Sequence, residues 1–244
     1  MKTLTKYIIE SNGYYQTSTD DIYGLRPKNK EELQKIISKR LDKCKGKSLD
    51  LSDIDVSNIT DMSRLFGIEL YNDKIYKIVE IDVSGWDTSN VTNMYQMFSS
   101  LESLANIEQN FDTSNVKNMQ QMFQNCESLR QIDVSKWNTS NVTDMSFMFF
   151  ACKNLEEPQG IDNWDVSNVR DMKRMFYACR YLQYIDISNW DVKNVRNMEG
   201  MFQECRNLTL RGGIDNWNVN NVRNMKVMFD GTFRHIGIPS WYKP

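Results

Sequence analysis

Apolar residues recur along this chain at i, i+3, i+4 and i+7, as at Met145, Met148, Phe149 and Cys152. That spacing places the side chains on one face of an α-helix. An Asp or Asn stands just before each such stripe, at Asp61, Asn93, Asn118, Asp144, Asp171, Asn197 and Asn224. A short side-chain oxygen there is a good N-cap. The predicted helix is only about two or three turns long, too short to stand without burying its stripe. After it the period changes to two. In Leu129 to Trp137, Ile132 and Val134 point one way and Gln131, Asp133 and Ser135 the other, and Leu182 to Trp190 repeats the pattern. This is the alternation of a half-buried strand.

The unit of stripe plus strand is written seven times, beginning at Asn58, Asn90, Asn115, Asn141, Asn168, Asn194 and Asn221, in steps of 32, 25, 26, 27, 26 and 27 residues. A period of this size predicts a solenoid of stacked coils, not a domain around one central core. Strands of successive coils would lie about 4.8 Å apart in a parallel sheet. The Asn that opens each copy tolerates left-handed backbone and bonds locally, so its column predicts a ladder of turns.

Composition follows from the columns. Thirteen of the fourteen methionines occupy the two stripe positions, with Leu65 at the exception. Trp86, Trp137, Trp164, Trp190 and Trp217 form another column, in which Phe111 replaces Trp. Aromatics so arranged either pack a coil corner or offer stacking surfaces to sugars. Cys126, Cys152, Cys179 and Cys205 form a column that holds Leu101 in the second copy. A position that accepts leucine wants a small apolar group, which predicts free thiols in a reducing compartment. The cysteines are 26 or 27 residues apart and there is one His, His235, so a zinc site is not expected.

Residues 1–49 are read as an N-terminal segment with a capping helix from Lys28 to about Lys43, Leu33, Ile36, Ile37 and Leu41 forming its apolar face. Residues 50–230 are the seven-copy array and 231–244 a C-terminal cap, where Pro239 and Trp241 are expected to cover the last coil. A solenoid needs such covers at its open ends. A net charge of −2 gives no global argument for nucleic acid. The apolar run near Met1 is too short for a secretory core or a membrane span, which predicts a cytoplasmic protein.

No nucleophile elbow, phosphate loop or dinucleotide signature is present, and His235 reads as a tail residue rather than a base. No catalytic, cofactor or metal residues are assigned. Two exposed columns remain for recognition. One is the outer strand face, Glu80, Asp82, Gln131, Asp133, Tyr184 and Asp186, an acidic strip with one aromatic. The other precedes each predicted cap and reads Thr60, Thr92, Lys117, Thr143, Arg170, Arg196, Arg223. Its arginines would lie beside predicted helix N-termini and hold phosphate or carboxylate, or else pair with Asp165, Asp171 and Asp191 on a solvated edge.

The segment Asn141 to Leu155, together with Ile-Asp-Val-Ser-Lys-Trp at 132 to 137, resembles the repeat of BspA-like leucine-rich-repeat proteins and the related mycoplasma-type DUF285 repeat. The resemblance implies an α/β leucine-rich-repeat-like solenoid of right-handed coils, each a short strand and a short helix. It also implies protein recognition, on strand faces above all, and for some members adhesion at a bacterial surface. The expectation is a non-catalytic protein-binding scaffold. Its alternatives are a carbohydrate-binding adhesin and a polyanion binder along the arginine ladder, and its oligomeric state is open.

Overall fold

The computed structural model describes residues 25–211, 213–232 and 238–243; the first 24 residues and His235 lie outside them. The alternating segments form short strands: β1 (Ser48–Asp50), β2 (Glu80–Val83), β3 (Asn106–Gln109), β4 (Gln131–Asp133), β5 (Glu157–Gln159), β6 (Tyr184–Asp186) and β7 (Thr209–Arg211). Pairing is parallel throughout, β1 with β2, β2 with β3, β4 with β5 and β6 with β7, with Ile81 opposite Ile107 and Ile185 opposite Leu210. The ladder is broken into a group of three strands and two groups of two. At the β3–β4 gap the Gln109 side chain takes over, its Nε2 donating to Asp133 O at 2.7 Å. At the next gap β5 carries Pro158, which has no N–H to give.

The stripes are not helices, which corrects the expectation of a helix in every coil. Met145–Cys152 folds as chained reverse turns, with Met148 N–H donating to Met145 O at 3.2 Å and Cys152 N–H to Phe149 O at 3.1 Å. The N–H groups of Met145, Phe147, Phe149 and Ala151 leave the segment and donate to Asp171, Lys173, Met175 and Tyr177 of the next coil, at 3.0, 2.8, 2.9 and 2.7 Å. An α-helix would need those donors for its own carbonyls four residues back. Both arrangements bury the same face, so Met145, Met148, Phe149 and Cys152 are all fully buried. The Asp or Asn before the stripe is not a helix cap either. Its side-chain oxygen accepts from the N–H two residues on, as Asp144 Oδ1 does from Ser146 at 2.8 Å, and its backbone forms an unbroken parallel bridge column from Asp61 to Asn224. The chain is thus a parallel β-solenoid with few helices.

Chained turns of this kind require left-handed residues. Arg64, Gln96, Gln121, Phe147, Arg174, Gly200 and Val227 hold φ between 49° and 60° in one column. A side chain there costs roughly 1–2 kcal/mol, so the bonds between coils must offset a recurring strain. Val227, β-branched at φ 53°, is the least suited of them. Val227→Gly is expected to raise stability by about 0.5–1 kcal/mol, the strain relief less the entropy of the freer unfolded glycine. Urea denaturation checks this, and a loss of stability would count against the strained turn.

Inside the coils run two aromatic stacks. Phe66, Phe98, Phe123, Phe149, Phe176, Phe202 and Phe229 stack at 5.0–5.8 Å between ring centres. Trp137, Trp164, Trp190, Trp217 and Trp241 stack at 6.2–6.4 Å. The thiols of Cys126, Cys152, Cys179 and Cys205 are free and buried, each donating to the carbonyl of a phenylalanine one coil earlier. Burial pushes the Cys126 thiol up to about 12.

At the N-terminal end α1 (Lys30–Lys43) lays Leu33, Ile37 and Leu41 on the core. It begins later than Pro27 suggests because Asn29 caps it, Oδ1 accepting from Glu32 N–H at 2.9 Å. The long first step holds α2 (Ile68–Tyr71) and a 3₁₀ turn, Asn72–Lys77, beneath α1. At the other end Trp241 extends the Trp stack and donates to Ile214 O at 2.9 Å, while Tyr242 meets Phe229 edge-on at 5.0 Å.

Candidate functional site

Most polar columns are used up by the coil itself. Asn90, Asn115, Asn141, Asn168, Asn194 and Asn221 each donate Nδ2 to a main-chain carbonyl of the preceding coil, at 2.7–2.9 Å. Thr88, Thr113 and Thr139 are buried and donate their hydroxyls to the following coil. The indole N–H groups of Trp164, Trp190 and Trp217 donate to Val134, Ile161 and Ile187 carbonyls. Those indoles are 3–5% exposed, so the Trp column packs the corner and the sugar-stacking expectation for it is withdrawn.

The strand wall is less of a site than its sequence suggests. Asp82, Asp133 and Asp186 each accept from a Ser N–H two residues on, at 2.9, 2.9 and 3.1 Å, and so close the turn after their strand. Bonds from Ser135 hold the Asp133 carboxyl below the usual range. Glu80 and Asp82 lie on β2, Gln131 and Asp133 on β4, and Tyr184 and Asp186 on β6, strands that fall in three ladders of one coil stack. Tyr184 is 40% exposed beside a groove of about 250 Å³ lined by Glu157, Asp162 and Asp186 among others.

The Lys/Arg column is held in register by backbone bonds from each residue's N–H to the carbonyl one coil back: Thr143 to Lys117, Arg170 to Thr143, Arg196 to Arg170 and Arg223 to Arg196, at 2.8–2.9 Å. Its side chains are exposed. The fold brings Arg170, Arg196 and Arg223 together along a groove of about 370 Å³, with Asn168, Asn194, Asn220 and Asn221 beside them. Lys117 is set apart by Thr143. Pairing with Asp165, Asp171 and Asp191 is not what the structure contains. Asp165 accepts from Ser167 N–H, Asp171 from Lys173 N–H and Asn197 Nδ2, and Asp191 is paired with Lys193 Nζ at 2.6 Å. Among the described residues no carboxylate lies within ion-pair distance of the three arginines. Nor, among the described residues, does a helix begin beside them.

Asp171 is unusual among the carboxylates. Burial, with repulsion from Asp144, raises its pKa, although Lys173 N–H and Asn197 oppose the shift. A raised folded pKa means that the group adds stability in acid and loses it as pH rises through the folded value. The melting temperature of the wild type minus that of Asp171→Asn is therefore expected to be level below about pH 4 and to fall above it. A constant difference would show that Asp171 feels no net burial.

One cluster escaped the sequence reading. Phe147, Phe150 and Tyr177 form a half-buried aromatic patch, with Phe150 stacked on Tyr177 at 4.7 Å and the Arg174 guanidinium 5.5 Å from the Tyr177 ring. The signal was there: the column that holds Phe150 and Tyr177 has Gly67, Ser99, Gln124, Gln203 and Asp230 in the other copies. Among the described residues no group of three or more His, Cys, Asp or Glu side chains is placed to hold a metal ion. No helix among them is long and apolar enough to cross a membrane.

No curated protein matches this sequence. The profile of a mycoplasma protein family of unknown function, DUF285, matches three overlapping segments, residues 35–133, 71–160 and 130–241, which together run from within α1 to the C-terminal Trp241. The chain, a repeat solenoid built from this family's unit, belongs to the DUF285 family.

Proposed function

We propose that the chain is a non-catalytic scaffold that recognises a partner protein through one wall of its solenoid, the wall of Arg170, Arg196 and Arg223. The observation that carries this reading is the row of three exposed arginines in register over a groove, with no carboxylate near enough among the described residues to neutralise them. Like charges held in one row repel one another and build a local positive potential that draws an anionic partner. The remaining polar columns support a scaffold rather than an enzyme, because each repeats the same coil-to-coil bond from copy to copy, as the Asn column does. The resemblance to BspA-like repeats, which work by recognition, points the same way. Four free thiols in one buried column support action where thiols stay reduced, as in the cytoplasm.

A second reading places the partner on the strand wall, favoured by the exposed rings of Tyr181 and Tyr184. Capture of proteins from native lysate separates the two. Wild type is compared with Arg170→Glu/Arg196→Glu/Arg223→Glu and with Tyr181→Ala/Tyr184→Ala. Loss of a captured protein in the arginine variant alone supports the first reading; loss in the tyrosine variant alone transfers the site to the strand wall. Capture of nothing by wild type overturns both.

A further inference from the structure

We propose that the arginine wall binds an extended, acidic segment of a partner protein, with alternate Asp or Glu side chains on Arg170, Arg196 and Arg223; this rests on the scaffold reading above and names its ligand. The three residues are bonded backbone to backbone, Arg196 N–H to Arg170 O at 2.9 Å and Arg223 N–H to Arg196 O at 2.8 Å. Their Cα atoms therefore rise by one coil, about 4.8 Å, at each step. Same-face residues of an extended peptide are roughly 6.7 Å apart. Three such acids outrun the arginine row by a few ångströms, a difference that long, splayed arginine side chains take up. Each guanidinium offers a planar fork suited to a carboxylate.

Beside the arginines lie the amides that a peptide main chain requires. Asn168, Asn194 and Asn221 each commit one Nδ2 donor to the preceding coil, at 2.8, 2.7 and 2.7 Å. A carboxamide has a second N–H and a carbonyl oxygen besides. The three asparagines line the groove that also holds the arginines. Nucleic acid is the weaker fit, because single strands bind on aromatic platforms as well as charge. The groove is lined by Asn, Arg and Val222, with no aromatic ring.

The chain's charge pattern favours the same end of the solenoid. The equivalent column reads Thr60, Thr92, Lys117 and Thr143 in the first four copies, so an acidic ligand finds three adjacent cations only over the last three. The acid that flanks the turn in earlier copies, Asp165 and Asp191, becomes Asn218 in the last, which removes a repelling charge where Arg223 stands.

The experiment is a fluorescence-anisotropy titration of the full chain with a labelled dodecapeptide of alternating Glu and Ser, with the Lys/Ser counterpart and oligothymidylate as comparison probes. Wild type is expected to bind the acidic peptide saturably, more weakly as salt rises. Arg170→Ala/Arg196→Ala/Arg223→Ala is expected to lose about tenfold or more in affinity, and the matching triple Lys variant to recover only part of it. Lys117→Ala, one coil beyond Thr143, is expected to bind as wild type. The exposed positions should leave the melting temperature unchanged, and that is measured alongside. Equal binding by the triple Ala variant, no binding by wild type, or oligothymidylate bound as tightly as the acidic peptide would each overturn the inference. The scaffold reading stands or falls separately, on whether native lysate yields a protein that the arginine variant loses.

Discussion

Phe149→Ala is expected to destabilise the chain by about 3–5 kcal/mol, the range for emptying a buried aromatic site. Phe149 is fully buried and sits midway in the Phe stack, 5.5 Å from both Phe123 and Phe176. Its N–H donates to Met175 O, and its carbonyl accepts from both Cys152 N–H and the Cys179 thiol. The truncation therefore leaves a cavity at a junction where three coils share contacts, and the neighbours cannot close on it without shortening the stack. Solenoid stability is a sum of coil terms and nearest-neighbour terms, so a weak interface in the middle should also split unfolding into two stages. Urea denaturation followed by Trp fluorescence reports both effects, since Trp137 lies on one side and Trp190 on the other. A loss below about 1 kcal/mol in one sharp transition would mean that the stack is not a continuous core.

Gly160→Ala should be of similar severity for a different reason. Gly160 has φ +82° in the turn after β5, and an added Cβ would lie 2.3 Å from Ser135 Cα and 2.4 Å from Ser135 Cβ. The obstacle is largely backbone of the preceding coil, which cannot rotate away. Left-handed strain of roughly 1–2 kcal/mol adds to overpacking of a further 1–3 kcal/mol, for a total of about 2–5 kcal/mol. Gly213 provides the control, with φ +71° and its nearest neighbour, Asp215 Oδ2, at 3.6 Å. Gly213→Ala is expected to cost the strain alone. Equal shifts in melting temperature for the two variants would show that coil contact at Gly160 adds nothing.

Periodicity exposed the columns but not the backbone that carries them. Met145, Met148, Phe149 and Cys152 are buried as their spacing implies, yet the same set of inward positions suits a helix and a chain of turns. The deciding fact is where the N–H of Phe147 goes, and no side chain announces it. Left-handed backbone is announced by Gly or Asn, but of the seven residues in that column only Gly200 is of either kind. The Asp144 signal was equally double, since one carboxylate oxygen two residues from a free N–H serves a helix cap or a turn. Strands β4 and β6 were legible because Ile132 and Ile185 alternate with polar neighbours; the gap beside β3 was not, because it depends on the side chain of Gln109 reaching Asp133. The arginine row could be read as a column. That Arg170, Arg196 and Arg223 have no acid partner among the described residues required knowing that Asp191 turns back to Lys193 and Asp171 faces Asn197.

Everything above depends on coils whose backbone bonds pass from one to the next through the Met–Phe segments. Backbone chemical shifts across Met145–Cys152 test that most directly. The account predicts no helical run, with left-handed values at Phe147 and Ala151 and strong exchange protection of the Met145, Phe147, Phe149 and Ala151 amides. An unbroken helical run of Cα shifts from Met145 to Cys152 would contradict it.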